Sequence, residues 1–195
     1  MNTFSIIILL GKSGSGKGTQ ADLLIQEFGL KHVSTGTLLR KRCKKKDFLG
    51  RKLKSIMASG GLVPTPLVFH LWLHELESFH KDKKCRGVVM EGSPRKLYEA
   101  WMLKETLDFY GWSKNVRVFH IAISDREALR RLLKRGRSID DQTEAIKNRL
   151  FWFKKEVKPA VSFYKKEGVL FDINGEQSVE NVYKEIRKKL GNFLA

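Results

Sequence analysis

The chain alternates short apolar segments with longer amphipathic ones along its whole length. Five of the apolar segments are typical of strands, being rich in β-branched and aromatic residues. They are FSIIILL from residue 4, LKHVS from 30, GVVMEG from 87, VRVFHIAI from 116 and GVLFDI from 168. The first is apolar at consecutive positions, which indicates a strand buried on both faces, as in a parallel sheet.

The segments between these strands carry apolar residues at helical spacing. In KGTQADLLIQEF, from residue 17, they recur at every third or fourth position, and Gly29 marks the end of the helix. Further helices are predicted from TGTLLRKRCKKK, GRKLKSIMAS, LVFHLWLHELESFH, KLYEAWMLKETLDFY, DREALRRLLKR and DQTEAIKNRLFWFKKEV, and a last one runs to about residue 190.

Several helix boundaries are marked by their own residues. Ser124, Asp140 and Ser178 each precede a predicted helix, and their short polar side chains can accept hydrogen bonds from its first backbone N–H groups. Pro159 interrupts or closes the helix after Asp140, because proline lacks the N–H that a helix interior needs. Strands alternating with helices predict an α/β sandwich with a parallel sheet, whose ligands lie at the carboxyl ends of the strands.

Length and charge narrow the class of protein. A chain of 195 residues fits one domain, residues 1–195. The 38 Lys and Arg against 21 Asp and Glu give a net charge of +17, which favours anionic ligands without choosing among nucleotides, nucleic acid and acidic surfaces. The apolar stretch at 6–10 is too short to span a bilayer and lacks the flanks of a signal peptide, so we expect a cytoplasmic protein.

The two cysteines, Cys43 and Cys85, lie far apart in the sequence. They make neither a disulfide framework nor a four-ligand zinc site, so we expect reduced thiols and no zinc.

The glycine-rich stretch GKSGSGKGT, residues 11–19, lies between the first predicted strand and the first helix. Backbone N–H groups of such a loop and of the helix N-terminus bind phosphate oxygens, and Lys17 can reach the β- and γ-phosphates. After the lysine stands Gly18, where a generic P-loop carries the Ser or Thr that holds magnesium. A glycine-rich turn without a ligand is the alternative, but the flanking strand and helix favour phosphate binding.

An ordered set of motifs resembles the adenylate kinase family from about residue 5 to 190. GKSGSGKGTQ is similar to that family's P-loop, in which Gly-Thr-Gln follows the lysine. HVSTGTLLR (32–40) and GGLVP (60–64) resemble its monophosphate site, and EGSPR (91–95) resembles its Asp-Gly-Phe-Pro-Arg motif. RLLKRG (131–136) and DDQTEAIKNRL (140–150) resemble the arginine-bearing helices on either side of its lid.

The resemblance implies a P-loop three-layer sandwich with a five-stranded parallel sheet, a helical monophosphate-binding insertion at 34–64 and a very short lid loop at 135–141. It implies reversible transfer of a phosphoryl group from ATP to AMP, giving two ADP. A UMP/CMP-type or broad-specificity kinase is one alternative, and a basic P-loop protein that binds nucleic acid is another. Mg²⁺ would be held mainly by nucleotide phosphates and water, with Glu91 near the ion through water. We expect the protein to be a monomer whose partners are ATP and AMP. We expect it to bind neither nucleic acid nor a membrane.

The matching positions also receive roles by resemblance. Arginine suits them because its planar fork binds phosphate oxygens bidentately. GRSIDD has one more residue between the arginine and the aspartates than the family pattern, which leaves the place of Arg137 open. The implied catalytic residues are Lys17, Arg95, Arg135, Arg137 and Arg149; the ATP-binding residues are Gly14, Ser15, Gly16, Lys17, Gly18, Thr19, Arg131, Arg135 and Gln177; the AMP-binding residues are Thr35, Arg40, Met57, Val63, Gly92, Arg95 and Glu99.

Glu99 departs from the family pattern at the position that reads the base. Adenylate kinases carry a glutamine four residues after the Pro-Arg arginine, and it pairs with N1 and the exocyclic amine of adenine. A carboxylate accepts from the amine of adenine or cytosine but offers no proton to N1. Alternatively, Glu99 points to solvent, and the base is read by the backbone at Val63 and by packing against Met57.

The run RKRCKKKDFLGRKLK, residues 40–54, holds nine Lys or Arg and one Asp. We interpret it as the outer face of two helices in the insertion. The alternative is a nucleic-acid patch.

Overall fold

The computed structural model describes residues 4–82, 85–137 and 141–194. Among these residues one five-stranded sheet forms, in the order β2-β3-β1-β4-β5, and every neighbouring pair is parallel. The strands are β1 Ser5–Leu10, β2 Lys31–Ser34, β3 Gly87–Glu91, β4 Val116–Ala122 and β5 Leu170–Asn174. The predicted parallel sheet is confirmed.

The helices follow the strands as the sequence pattern indicates. They are α1 Lys17–Phe28, α2 Thr35–Cys43, α3 Phe48–Ala58, α4 Thr65–His80, α5 Leu97–Phe109, α6 Asp125–Arg135, α7 Thr143–Trp152, α8 Lys158–Lys166 and α9 Val179–Leu190. The predicted caps Ser124 and Ser178 are confirmed, since their side chains accept from the backbone N–H groups of Glu127 and Asn181. No helix in the described ranges is long and apolar enough to cross a membrane.

The sheet is buried on both faces because its strands are apolar at consecutive positions. In β1, Ile6, Ile8 and Leu10 face a core shared with α2 to α5 and α8, whereas Ile7 and Leu9 face a core shared with α1 and α9. Burial of this kind stabilises the fold by about 25 cal/mol for each Å² of apolar surface removed from water. The three-layer sandwich is therefore confirmed, and the carboxyl ends of its parallel strands meet at one edge.

Two helices differ from their predicted bounds more than the others do. The basic helix α2 ends at Cys43, three residues early, because the Asp47 side chain accepts from the backbone N–H of Gly50 and begins α3. The helix predicted from residue 141 begins at Thr143 and continues as a π-helical turn, Phe153–Val157, into α8.

The π-helical turn has a physical reason in the sequence. Pro159 lies at the start of α8 and lacks the N–H that would bond to the carbonyl of residue 155. Just before it, the backbone N–H of Lys158 donates to the Phe153 carbonyl, five residues back. This one wider turn lets the chain continue as a helix past the proline. The predicted interruption is confirmed, while the predicted cap Asp140 lies outside the described residues.

Candidate active site

A cavity of about 650 Å³ opens where β1 and β3 end. Its walls come from the glycine loop, from α2 and α3, from the turn after β3, and from α6, α7 and the π-helical turn. It brings together most of the site residues that the sequence predicts. These are Gly14, Gly16, Lys17, Gly18, Thr19, Arg40, Met57, Val63, Glu91, Gly92, Arg95, Arg131, Arg135, Arg137 and Arg149.

The glycine loop holds a backbone shape that side chains do not tolerate. Gly11, Gly14 and Gly16 have φ values of 142°, 85° and 93°. A Cβ on Gly11 would lie 2.5 Å from the Ile121 carbonyl oxygen of β4, so the loop also packs too closely for any other residue. This backbone leads directly into the N-terminus of α1, where anions bind.

The Lys17 ammonium folds back onto that loop. It donates to the carbonyls of Gly11 at 2.9 Å and Lys12 at 2.7 Å, and to Ser15 Oγ at 3.3 Å. Burial lowers the pKa of Lys17 to about 8, although the nearby Glu91 carboxylate opposes the shift. A phosphate placed on the loop would meet a positive charge fixed at its centre.

Glu91 ends β3 beside the start of α1. Its Oε1 accepts from Ser34 Oγ at 2.8 Å and lies 3.8 Å from His32 Nε2. A Cβ on Gly18 would lie 3.7 Å from both carboxylate oxygens. The carboxylate therefore lies next to the position where a generic P-loop has its magnesium-binding hydroxyl, and at Gly18 no side chain stands between the carboxylate and the loop.

Arg40 and Arg95 line the part of the cavity next to the insertion. Arg95 Nε donates to the Gly92 carbonyl at 2.7 Å, and Arg40 Nη2 donates to Thr37 Oγ1 at 3.2 Å. Two guanidinium groups on one wall can bind a single phosphate group from two directions.

Glu99 is 4% exposed, so the alternative that it points to solvent is wrong. Its Oε2 accepts from the backbone N–H of Arg95 at 2.7 Å and its Oε1 from Thr65 Oγ1 at 3.3 Å. It lies outside the set of described residues that line the cavity, whereas Met57 and Val63 belong to that set. Its role as the base reader stays a prediction.

Asp141 organises the arginines on the opposite wall. Arg135 binds it with two hydrogen bonds of 2.7 Å, and Arg149 Nη2 donates to it at 2.9 Å. The backbone N–H of Arg137 donates at 3.1 Å. Burial would raise the pKa of Asp141, but its hydrogen bonds with Arg135 and Arg137 and the charges of Arg135 and Arg149 hold the pKa below its ordinary value.

This role of Asp141 was not predicted from the sequence, although Asp140 and Asp141 form an adjacent pair in DDQTEAIKNRL. The signal was their position directly before the helix that carries Arg149. An ionised carboxylate with a fully buried side chain fixes two guanidinium groups toward the cavity.

Comparison with known proteins agrees with the geometry of this site. A family model described as adenylate kinase matches residues 9–169. The chain belongs to the adenylate kinase family. It is 39% identical to adenylate kinase 1 of Nostoc sp., over 95% of this chain and 98% of that one. It is 35% identical to the adenylate kinase of Thermus thermophilus, over 98% of this chain and 100% of that one, and 34% identical to that of Parabacteroides distasonis, over 95% and 97%.

Membership of the adenylate kinase family confirms the resemblance, yet three predicted residues besides Glu99 lie outside the described cavity lining. Ser15 and Thr35 are buried behind it, and Thr35 Oγ1 donates to Ser93 Oγ at 3.0 Å. Gln177 Nε2 donates to the Asn174 carbonyl at 2.9 Å and to Glu185 Oε2 at 3.0 Å. Ser15 and Thr35 can support the site from behind, and contact between Gln177 and ATP stays a prediction.

An apolar wall of this adenylate kinase site was not predicted. It consists of Trp152, Phe153, Val157 and Val179. The aromatic run FWF after Arg149 is its sequence signal, and the π-helical turn rotates Phe153 and Val157 toward the cavity.

Proposed function

We propose that this chain catalyses the reversible, Mg²⁺-dependent transfer of the γ-phosphoryl group of ATP to AMP, giving two ADP. The observation that supports this best is that one cavity contains the parts that the reaction needs. Its walls include the glycine loop with Lys17, the pair Arg40 and Arg95, and the arginines that Asp141 aligns. The UMP/CMP-type kinase and the nucleic-acid-binding protein are not favoured by the family match.

ATP is proposed to bind Arg131, Arg135 and Gln177, with its phosphates on Lys17 and the rest of the glycine loop from Gly14 to Thr19. Arg131 is already oriented, because its Nε donates to Glu127 at 2.6 Å and its Nη2 to the Gly175 carbonyl at 2.9 Å.

The AMP phosphate is proposed to bind Arg40 and Arg95. Arg135, Arg137 and Arg149 would then neutralise charge on the group in transfer. No strong general base is needed, because the accepting phosphate is already anionic; catalysis consists of positioning and charge stabilisation.

Mg²⁺ is proposed to bind the nucleotide phosphates and water, with Glu91 as an outer ligand through water. When bound, the ion would supply positive charge that neutralises the phosphate oxygens. The Glu91 carboxylate fits this role because it faces Gly18 at the start of α1. Among the described residues no three His, Cys, Asp or Glu side chains could hold a metal together.

The insertion at 34–64 is proposed to bind the monophosphate, and the segment at 135–141 is proposed to be a short lid loop over ATP; residues 138–140 lie outside the described ranges. We also propose a monomer in the cytoplasm. The free thiols of Cys43 and Cys85 fit a reducing compartment.

A coupled assay with MgATP and each of AMP, CMP, UMP and GMP tests the function. We expect the highest kcat/KM for AMP. A higher value for CMP or UMP would assign the chain to the pyrimidine kinases, and no phosphoryl transfer to any of them would refute the proposal.

Glu99→Gln is expected to raise the AMP-over-CMP ratio of kcat/KM several-fold, because an amide can donate to N1 of adenine and a carboxylate cannot. One hydrogen bond is worth about 0.5–1.5 kcal/mol, so the effect is modest. The glutamine oxygen can keep the bond from the Arg95 N–H, which preserves the local fold. UMP and GMP should be poor substrates of the wild type, because each presents a carbonyl to the carboxylate.

Glu105→Gln is the matched control, since Glu105 lies exposed on the same helix, α5. It should leave the ratio unchanged. If Glu99→Gln also leaves it unchanged, Glu99 is not the reader, and adenine preference comes from Val63 and Met57.

A further inference from the structure

A second hollow, of about 700 Å³, adjoins the catalytic cavity. The two share Thr37 and Arg40 in their walls. Of the nine described residues that line the hollow, seven are Lys or Arg and none is acidic. They are Thr37, Arg40, Lys41, Cys43, Lys44, Lys45, Lys46, Arg51 and Lys54.

The hollow is shaped by the tight turn between α2 and α3. A Cβ on Gly50 would lie 2.0 Å from the Lys45 carbonyl oxygen, so only glycine lets the turn fold back onto α3. Arg51 Nη1 donates to the Lys46 carbonyl at 3.2 Å and ties the turn to that helix. The turn thereby brings Lys44, Lys45 and Lys46 into the wall of the same hollow as Arg51 and Lys54.

Asp47, the one carboxylate of the run 40–54, is engaged elsewhere. Its two oxygens accept from Arg42 at 3.0 and 2.9 Å, and Oδ1 also accepts from the Gly50 N–H at 2.7 Å. Neither Asp47 nor Arg42 is among the described residues that line the hollow. Seven residues with positively charged side chains thus surround one hollow, and none of its described lining residues is acidic. The positive potential of such a concave surface favours a bound anion.

We propose that this hollow binds a chain of consecutive phosphate groups, and that an occupied hollow competes with AMP for Arg40. The competition rests on the proposed function, because it assumes that Arg40 binds the AMP phosphate. Lysine ammoniums, arginine forks and the Thr37 hydroxyl are all donors suited to phosphate oxygens.

The lining favours a compact phosphate chain over nucleic acid. Proteins that bind single strands stack bases on aromatic side chains and track the backbone over several nucleotides. The exposed aromatic of this run, Phe48, is not among the described lining residues, and the cations converge on one hollow. The shared chemistry is a polyphosphate chain, either free or as the tail of a nucleoside triphosphate.

Binding is tested by equilibrium dialysis of labelled tripolyphosphate at constant free Mg²⁺. Because the glycine loop also binds phosphates, wild-type protein should bind two chains. The variant K44S/K45S/K46S should bind one, and the matched variant K184S/K188S/K189S, which loses the same charge from exposed positions on α9, should bind two. The same number of chains in wild type and in K44S/K45S/K46S overturns the site, whether or not the protein is a kinase. One chain in wild type and none in K44S/K45S/K46S would keep the hollow and contradict phosphate binding by the glycine loop.

The same variants separate binding from kinetics. In wild type, tripolyphosphate should inhibit in competition with AMP, and the three substitutions should weaken this inhibition by about tenfold, as expected for three exposed charge contacts. Without tripolyphosphate, kcat and both KM values should not change. Inhibition competitive only with ATP overturns the link through Arg40.

Two further ligands define the occupant. If tripolyphosphate binds the hollow more tightly than CTP in the dialysis, the natural occupant is a free polyphosphate chain. If CTP binds more tightly, the occupant is a nucleoside triphosphate. Either result supports the site. A single-stranded RNA that binds wild type but not K44S/K45S/K46S, while tripolyphosphate binds both equally, overturns the proposal in favour of a nucleic-acid surface.

Discussion

Lys17→Met is expected to leave the fold intact and to lower kcat by about a hundred- to a thousand-fold. The ammonium is held at the centre of the glycine loop by two carbonyls, so its charge is fixed before the phosphates arrive. Losing such a contact to the transition state costs about 3–4 kcal/mol. The coupled assay gives kcat, and circular dichroism checks the fold. Near wild-type turnover by a folded variant would contradict the role of the loop.

Lys12→Met is the matched control within the same loop. The Lys12 ammonium bonds to the Ile123 carbonyl at 2.6 Å and to Asp125 at 2.7 Å, and Lys12 lies outside the described cavity lining. This substitution should lower stability more than turnover. Equal loss of turnover in both variants would show that any lysine in the loop is required for its shape.

The pH dependence of kcat/KM for ATP should report Lys17 in the free enzyme. Burial lowers its pKa to about 8, so the charged form that binds phosphate is lost as the pH rises above about 8. Bound phosphates favour the ammonium, so kcat at saturating MgATP should fall only at higher pH. A kcat/KM for ATP that stays constant from pH 7 to about 10 would show that the charge of Lys17 is not needed to bind the ATP phosphates.

The local parts of the site could be predicted from sequence because each is contained in one short segment. The glycine loop lies between its own strand and helix, and EGSPR places Glu91 and Arg95 at the end of β3. Arg137 also reaches the cavity despite the additional residue in GRSIDD.

Contacts between distant segments could not be predicted in this way. The pairing of Asp141 with Arg135 and Arg149 depends on how α6 and α7 meet, and sequence shows the charges but not their burial. The resemblance to the adenylate kinase family was enough to place Glu99 at the predicted base-reading position. Its bond to Thr65 could not, because Thr65 begins a different helix, α4.

Asp141→Asn is expected to destabilise the fold by about 2–4 kcal/mol and to lower kcat by about ten- to a hundred-fold. The side chain is fully buried, and the new amide N–H groups would face the donors of Arg135 and Arg149. Without the carboxylate, two like charges remain close together, and neither guanidinium is held toward the cavity. Because Arg135 is itself partly exposed, water reduces the loss of stability below that of a fully buried pair. Urea unfolding and the coupled assay measure the two effects.

The stability difference between wild type and Asp141→Asn should itself depend on pH. The pKa of Asp141 is lower in the folded state than in the unfolded chain, so its contribution is complete above the unfolded value of about 4 and is lost as the pH falls through the folded value. The urea midpoints of wild type and Asp141→Asn should therefore differ most at pH 7 and approach each other as the pH falls below about 4. Asp172→Asn is the matched control, because Asp172 pairs with His120 while 59% of its side chain is exposed, and it should cost less than about 0.5 kcal/mol. Equal losses from both substitutions would mean that burial between two arginines gives Asp141 no special role in the site.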